Sequence, residues 1–277
     1  MPTRHANFND FIYFCVMSTV RAKKSLGQHF LRDQNIARKI TSSLLPLTRP
    51  VLEIGPGMGV LTRYLLDNPA ISLWAIDIDK ESIEYLHETF PAHKEQILYG
   101  DFLKMDIGNL FQEPFSIIGN LPYNISSQIF FRIIRHRQLV TQAVCMIQKE
   151  VAERIAAHHG NKDYGILSVL LQTFYRIEYL FTVNEKVFDP PPKVKSAVIR
   201  LVRNGRTDLP CDEKLFFDIV KAGFNQRRKT LRNSIRELLP PQFESPYLNM
   251  RPEQLSVDDF LILATAIQQK ERDIHNT

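Results

Sequence analysis

The chain has 277 residues, of which 44% are hydrophobic and 23% charged, a composition typical of a globular protein with a full core. Its formal net charge is +5, and residues 186–236 alone contain thirteen Lys or Arg against five Asp or Glu; this favours a polyanionic partner, although a merely solvated basic face would look the same. The three cysteines, Cys15, Cys145 and Cys211, form no C-x-x-C pair, so they suggest neither a zinc site nor a disulfide framework, and a reducing, cytoplasmic setting fits best.

An apolar run, FIYFCVM, lies near the N-terminus at residues 11–17. It is too short to span a bilayer, which needs about 20 residues, and no small-residue cleavage site follows it. We therefore expect residues 1–20 to be an extension that packs loosely or is disordered, with Met17 as an alternative start.

Short apolar runs alternate with helical patterns from residue 51 onward. Strands are predicted at 51–55, 72–79, 96–101, 115–120, 142–148, 176–183 and 196–202, and helices at 59–67, 80–90, 126–136, 149–157 and 165–175. This alternation predicts an α/β fold with a parallel, doubly wound sheet and helices on both faces. Beyond a linker at 203–210 the pattern is helical only, near 213–224, 227–239 and 256–271. We predict an α/β domain over 21–205 and a small helical domain over 206–277.

The turn after the first of these strands is rich in glycine, with Gly55, Gly57 and Gly59. Ligands of open α/β sheets bind at the carboxyl ends of the strands, where glycine allows the backbone to approach closely. Asp77 ends the second strand, where it can accept from both hydroxyls of a ribose, and Asp101 ends the third, where it can accept from an adenine amine beside Phe102. Tight turns, helix caps or salt bridges would explain the same residues without a ligand.

The spacing of these glycines distinguishes between the classes of nucleotide cofactor that the turn could bind. A nicotinamide fingerprint would place its third glycine where the chain has Val60, and the G-K-S/T of a P-loop is absent. With Glu53 before it, the pattern resembles the first motif of the methyltransferases that use S-adenosylmethionine, a cofactor without phosphate.

Residues 120–123, Asn-Leu-Pro-Tyr, follow the predicted fourth strand. The lone pair of an exocyclic adenine amine is delocalised into the ring, so acceptors for both amine hydrogens are needed before it attacks a methyl sulfonium. Asn120 offers its side-chain carbonyl, and Leu121 its backbone carbonyl, which Pro122 keeps out of a helical turn. Tyr123 can stack on the base, a contact worth about 1–3 kcal/mol. The tetrapeptide therefore predicts methylation of an amine without a strong general base.

This tetrapeptide resembles motif IV of the amino methyltransferases, and its Asn-Leu-Pro-Tyr form is similar to that of the ribosomal RNA adenine dimethyltransferases. Further blocks are similar to the same family, in order: KKSLGQHFLRD (23–33), LQTFY, VFDPPPKVKSAVIRL (187–201) and FNQRRKTLRNSI (224–235). The resemblance is closest to the small-subunit branch. It implies a Rossmann-like class I methyltransferase fold, S-adenosylmethionine as cofactor, and dimethylation of two adjacent adenines in the 3′-terminal hairpin of 16S rRNA.

The resemblance also implies roles for individual residues. For the cofactor it implies His29 and Leu31 through backbone atoms, Gly55 and Gly57 beneath it, Asp77 with Ile78 at the ribose, Asp101 with Phe102 at the adenine, and Asn120 between cofactor and target amine. Phe188 would be the second stacking face, opposite Tyr123. No metal is expected.

A basic block near residue 230 predicts the RNA surface. On the predicted helix 227–239, Leu231, Ile235 and Leu238 form an apolar stripe, and Arg228, Arg232 and Arg236 form a basic stripe beside it. An ordinary surface helix has a similar pattern. Together with the family block, it predicts phosphate contacts from Arg227, Arg228, Lys229 and Arg232, with Lys23 and Lys24 adding to them.

Other functions share parts of this pattern. A 23S rRNA methyltransferase of the antibiotic-resistance type has most of the motifs, but the PPPKVKSAVIRL block favours the small-subunit branch. A DNA adenine methyltransferase would be expected to carry a separate recognition domain, and a non-catalytic RNA-binding assembly factor would be expected to have degraded motifs. We predict a cytoplasmic, monomeric enzyme with no membrane contact that acts on 16S rRNA in the small subunit or its precursor.

Overall fold

A seven-stranded mixed sheet forms the centre of the computed structural model, which describes residues 20–275. The predictions for residues 1–19, Met17 and Cys15 included, lie outside this range. The strands are β1 (Phe30–Leu31), β2 (Pro50–Ile54), β3 (Ser72–Asp77), β4 (Ile97–Tyr99), β5 (Phe115–Asn120), β6 (Val140–Gln148), β7 (Tyr175–Val183), β8 (Phe188–Asp189) and β9 (Ser196–Arg203). β1 and β8 form a separate antiparallel ribbon, which joins the N-terminal block to the proline-rich turn.

The strand order in the main sheet is β4-β3-β2-β5-β6-β9-β7. The strands from β4 to β6 run parallel, whereas β9 is antiparallel to both of its neighbours. The prediction of a wholly parallel sheet was therefore wrong at this edge. The reason is that no α-helix separates β7 from β9, and parallel neighbours need a crossover of a dozen or more residues.

Helices cover the sheet and continue beyond it. They are α1 (Gln34–Thr41), α2 (Val60–Leu66), α3 (Lys80–Thr89), α4 (Ile107–Leu110), α5 (Ser126–Arg135), α6 (Lys149–Ala156), α7 (Ile166–Phe174), α8 (Glu213–Asn225), α9 (Leu231–Ser234) and α10 (Val257–His275). The Rossmann-like α/β fold is confirmed. Since the strand order reverses between β2 and β5, a ligand is expected at the carboxyl ends of these two strands.

The predicted helix 227–239 is wrong in length. Only α9 and a single 3-10 turn at Arg236–Leu238 are helical there, with Ile235 between them at φ −111° and ψ 17°. Leu231 and Ile235 are buried, and the backbone N–H of Leu231 donates to the carbonyl of Met250 at 2.8 Å. Packing against the rest of the helical region thus overrides the local helical pattern, and the basic stripe at i, i+4, i+8 does not exist.

One buried core joins the sheet to the C-terminal helices. Phe216, Phe260 and Ile267 belong to the same cluster as the sheet residues Ile117 and Leu201. The division into 21–205 and 206–277 stays a prediction, and no break in this core marks it. No helix among residues 20–275 is long and apolar enough to cross a membrane.

Candidate active site

A cleft opens at the carboxyl ends of β2, β3 and β5. Its volume, including the open mouth, is about 880 Å³, and concave clefts of this kind are where small molecules bind. Three parts of the chain line it: residues 25–30, the strand ends at Gly55, Gly57, Asp77, Ile78, Asp101 and Leu103, and residues 120–125. The cleft therefore brings together most of the residues predicted to bind a cofactor.

The glycine turn forms the floor of the cleft. Gly55 and Gly57 have φ of 68° and 54°, in the left-handed region that favours glycine. A Cβ on Gly57 would lie 2.8 Å from the ring of Phe30, and a Cβ on Gly55 would lie 3.8 Å from the carbonyl oxygen of Asn120. A side chain at Gly55 would thus enter the space between the turn and the Asn-Leu-Pro-Tyr segment.

Two carboxylates stand at neighbouring strand ends. Asp77 is only 6% exposed, and its Oδ2 and Oδ1 accept from the backbone N–H of Gly57 at 3.1 Å and of Asp79 at 2.9 Å. Burial raises the pKa of Asp77, and these N–H donors oppose that rise. Asp101 accepts from the backbone N–H of Leu103 at 2.9 Å. Both side chains are oriented by backbone amides and keep lone pairs for hydroxyl or amine donors.

Glu53 on β2 is a third, buried carboxyl, near enough to Asp77 for their charges to interact. It is 1% exposed and accepts from the Thr62 hydroxyl at 2.7 Å. Burial, with a smaller contribution from the Asp77 charge, raises the pKa of Glu53 to about 8. Near neutral pH the Glu53 carboxyl is therefore largely uncharged.

Asn120 is oriented by the N-terminal block. Its Nδ2 donates to the backbone carbonyl of His29 at 2.9 Å; because a carbonyl can only accept, the amide nitrogen must face His29 and Oδ1 remains the acceptor. The N–H of Leu121 donates to the carbonyl of Met146 at 3.0 Å. Within residues 20–275 no group donates to the Leu121 carbonyl. The segment thus offers the two acceptors that the sequence predicts.

Tyr123 is held at both its hydroxyl and its ring. The hydroxyl forms a 2.6 Å hydrogen bond with Ser196 Oγ, and burial raises the pKa of the phenol. The His29 imidazole stacks on the ring with centroids 5.4 Å apart, and its Nδ1 donates to the carbonyl of Pro190 at 2.8 Å. One face of Tyr123 is therefore covered by His29. The sequence missed this ring contact and Ser196, which only the pairing of β9 brings to the site.

Three of the residues predicted to contact the cofactor or the base are not among those that line the cleft. Leu31, Phe102 and Phe188 are 4%, 5% and 3% exposed. Phe188 lies opposite Leu31 in the β1–β8 ribbon and belongs to the same buried cluster; its role as the second stacking face stays a prediction. Leu103, which no sequence pattern singles out, lines the cleft together with Asp101, where Phe102 was expected. Phe102 and Leu103 are adjacent in the sequence, and no local pattern shows which of the two faces the cleft.

The predicted RNA-binding cations lie in different environments. Arg227, Arg228 and Lys229 are exposed on the turn after α8, and Arg227 Nη2 donates to the carbonyl of Lys162 at 2.7 Å. Arg232 is paired with Glu244 through two bonds of 3.0 and 2.6 Å. The turn is therefore a more open source of positive charge than Arg232. Within residues 20–275 no cluster of His, Cys, Asp and Glu could hold a metal ion.

Comparisons with known proteins agree with this site. The ribosomal RNA small subunit methyltransferase A of Cytophaga hutchinsonii is 56% identical over 258 residues, which are 92% of this chain and 100% of that protein. A crystal structure of a dimethyladenosine transferase from Plasmodium falciparum has a TM-score of 0.73 at 26% identity and covers 88% of this chain and 98% of its own. That of the 23S rRNA methyltransferase ErmE has a TM-score of 0.62 at 26% identity, covering 85% and 99%. Since the family model described as ribosomal RNA adenine dimethylase matches residues 19–269, the chain belongs to the ribosomal RNA adenine dimethylase family.

Proposed function

We propose that this chain transfers methyl groups from S-adenosylmethionine to the exocyclic amines of two adjacent adenines in the 3′-terminal hairpin of 16S rRNA. The reaction would take place on the small subunit or its precursor, in the cytoplasm, with the chain acting as a monomer in subunit biogenesis. The observation that carries the proposal is the pair of acceptors at Asn120 and Leu121 beside a cleft suited to an adenosine. The small-subunit name of the 56% identical relative supports the choice of RNA.

The residues of the cleft fit S-adenosylmethionine. Asp77 and Asp101 suit the ribose hydroxyls and the adenine amine, and the bare Gly55 leaves room above the turn. Among the described residues, no Lys or Arg lines the cleft, which suits a cationic sulfonium better than a phosphate-bearing cofactor. When bound, the cofactor supplies an electrophilic methyl group.

The Asn-Leu-Pro-Tyr segment then acts on the target adenine. Asn120 Oδ1 and the Leu121 carbonyl accept the two amine hydrogens, which localises the nitrogen lone pair and stabilises the positive charge that develops on it. Tyr123 stacks on the base with the face that His29 leaves open. Because burial raises the pKa of Tyr123, the phenol stays protonated and does not act as a base. The methylated ammonium is acidic enough to lose its proton to water.

A 23S rRNA target is the second candidate. ErmE shares the fold, but its 26% identity to this chain is far below the 56% of the small-subunit enzyme. The small subunit is therefore the better supported substrate.

The test is methylation of under-methylated small subunits with labelled S-adenosylmethionine, followed by mapping of the modified bases. We expect two methyl groups on each of two adjacent adenines near the 3′ end of 16S rRNA. Fully methylated small subunits and isolated large subunits are the controls, and both should stay unlabelled. Label in 23S rRNA would select the second candidate, and the absence of label from adenine would refute amine methylation altogether.

A further inference from the structure

Residues 23–29, here called the cleft segment, form one wall of the cofactor cleft. Ser25 to His29 line the cleft directly, and a 3-10 turn at Lys24–Leu26 shapes the segment. It contains no strand residue, and the β1–β8 ribbon begins only after it. Side-chain contacts must therefore hold this wall in place.

The first end of the cleft segment is tied to Asp79. The carboxylate of Asp79 accepts from Lys23 Nζ at 2.6 Å and from Gln28 Nε2 at 3.0 Å. Gln28 Oε1 in turn accepts from the backbone N–H of Lys23 at 2.8 Å, which closes a ring of bonds across the segment. The Asp79 side chain is 1% exposed and that of Lys23 35%, so this ion pair is shielded from water on its acidic side.

Asp79 also touches the cofactor-binding carboxylate. Its backbone N–H donates to Asp77 Oδ1 at 2.9 Å, and its side chain caps α3 by accepting from the N–H of Glu81 at 3.2 Å. Although burial alone would raise the pKa of Asp79, the bonds from Lys23 and Gln28 lower it overall. Asp79 is therefore ionised near neutral pH, as the contact with Lys23 requires.

The far end of the cleft segment reaches the adenine site. The carbonyl of His29 accepts from Asn120 Nδ2, and the His29 ring stacks on Tyr123. A shift of the segment would thus disturb both the cofactor wall and the orientation of the Asn120 amide.

We propose that Asp79 is a positioning residue for methyl transfer: it holds the cleft segment against the cofactor and, through His29, keeps Asn120 turned so that Oδ1 accepts from the target amine. The inference rests on the proposed function for the identity of the cofactor and the amine. Asp79 itself touches neither of them and acts through Lys23, Gln28 and Asp77.

The variant Asp79→Asn tests this role, since asparagine keeps the shape and still caps a helix but loses the charge. S-adenosylhomocysteine binding should weaken about tenfold, the effect of losing roughly one charge-assisted hydrogen bond, and kcat should fall while KM for the RNA stays unchanged. Hydrogen exchange in residues 23–29 should accelerate, with no change over 213–275. A residue that served overall stability alone would not produce this pattern.

Glu81→Gln is the matched control. Glu81 pairs with the same lysine at 3.0 Å, but its side chain is 58% exposed, and exposed pairs contribute little. Its cofactor affinity and segment exchange should stay close to those of the wild type.

Lys23→Met provides the second variant. It should reproduce the effects of Asp79→Asn on cofactor affinity and on hydrogen exchange in residues 23–29, and in both the double variant should be no worse than either single one, because both substitutions remove the same contact. Additive effects, or wild-type cofactor affinity in Asp79→Asn, would overturn the inference. If hydrogen exchange in Asp79→Asn is faster throughout the chain, that variant is destabilised as a whole and Lys23→Met becomes the deciding variant. Wild-type cofactor affinity in Lys23→Met would then overturn the inference. A wild-type chain that binds no cofactor would instead refute the proposed function.

Discussion

At the scale of single residues, the chemistry depends on how one amide is turned. The side-chain amide of Asn120 has a donor, Nδ2, and an acceptor, Oδ1. Only the acceptor can bind a hydrogen of the target amine and so help to localise its lone pair. The 2.9 Å bond to the His29 carbonyl decides which end remains. The sequence alone was enough to select Asn120. It could not show that His29 orients the amide, because His29 lies 91 positions away in the chain.

Asn120→Ala should lower kcat by about 10²–10³-fold, because it removes one of the two groups that stabilise developing charge on the amine. Cofactor affinity should change little, since Asp77 and Asp101 are the residues proposed to bind the parts of the cofactor remote from the amine. Single-turnover rates and calorimetric binding of S-adenosylhomocysteine measure the two effects separately.

Asn109→Ala is the control for this substitution, because Asn109 is a remote asparagine bonded to Asp106. It should behave as the wild type. Undiminished turnover in Asn120→Ala would show that the amine is not activated by this side chain.

At the scale of elements, strand β2 carries a buried acid, Glu53, which is bonded to Thr62 on helix α2. This acid makes the free energy of unfolding depend on pH. Glu53 on β2 has its pKa raised from the usual 4.5 of a glutamate to about 8, chiefly by burial. Between these pH values the folded chain holds a proton that the unfolded chain has lost. Its contribution is complete below about pH 4.5 and is lost as the pH rises through 8.

Glu53→Gln should remove this dependence, because glutamine stays neutral and can still accept from the Thr62 hydroxyl. At pH 8 the variant should be more stable than the wild type by on the order of 4 kcal/mol, and at pH 5 by less than about 1 kcal/mol. Urea unfolding at both pH values measures the difference. If the difference in stability between variant and wild type were the same at pH 8 and at pH 5, Glu53 would ionise as an ordinary glutamate does.

Elements with a strong period were predictable, and those fixed by distant contacts were not. The strand 115–120 was predicted at its observed bounds, because a continuous apolar run ends there in polar residues. Helix α1 was missed, although Asp33 caps it through bonds to the N–H groups of Asn35 and Ile36. The helix predicted at 227–239 was broken by the burial of Leu231 and Ile235. The direction of β9 and the burial of Phe188 likewise follow from pairing that no local pattern shows.

At the scale of the whole molecule, positive charge is separated from the cofactor cleft. The described lining of the cleft contains no Lys or Arg, while the turn after α8 presents Arg228 and Lys229 to solvent. Cations on this turn can bind phosphates without pairing with Asp77 and Asp101, the carboxylates proposed to bind the cofactor. Arg232 is less available, because Glu244 already neutralises it.

The double variant Arg228→Ala/Lys229→Ala should therefore weaken RNA binding at low salt by about tenfold and reduce the slope of log K against log salt by about 1–2, since each phosphate contact contributes about 0.7–0.9. Cofactor affinity should stay unchanged. Fluorescence titration with a 16S hairpin or with small subunits over a range of salt concentrations measures both quantities.

The matched control is Lys80→Ala/Lys94→Ala, which removes the same formal charge from exposed positions on α3 and the turn after it. If only the net charge of +5 attracted the RNA, both double variants would lose affinity equally, because long-range attraction depends on total charge. If the turn after α8 makes direct phosphate contacts, only its variant changes the salt slope, because counterions are released where phosphates are actually neutralised. Equal slopes for the two variants would therefore place the RNA elsewhere on the molecule.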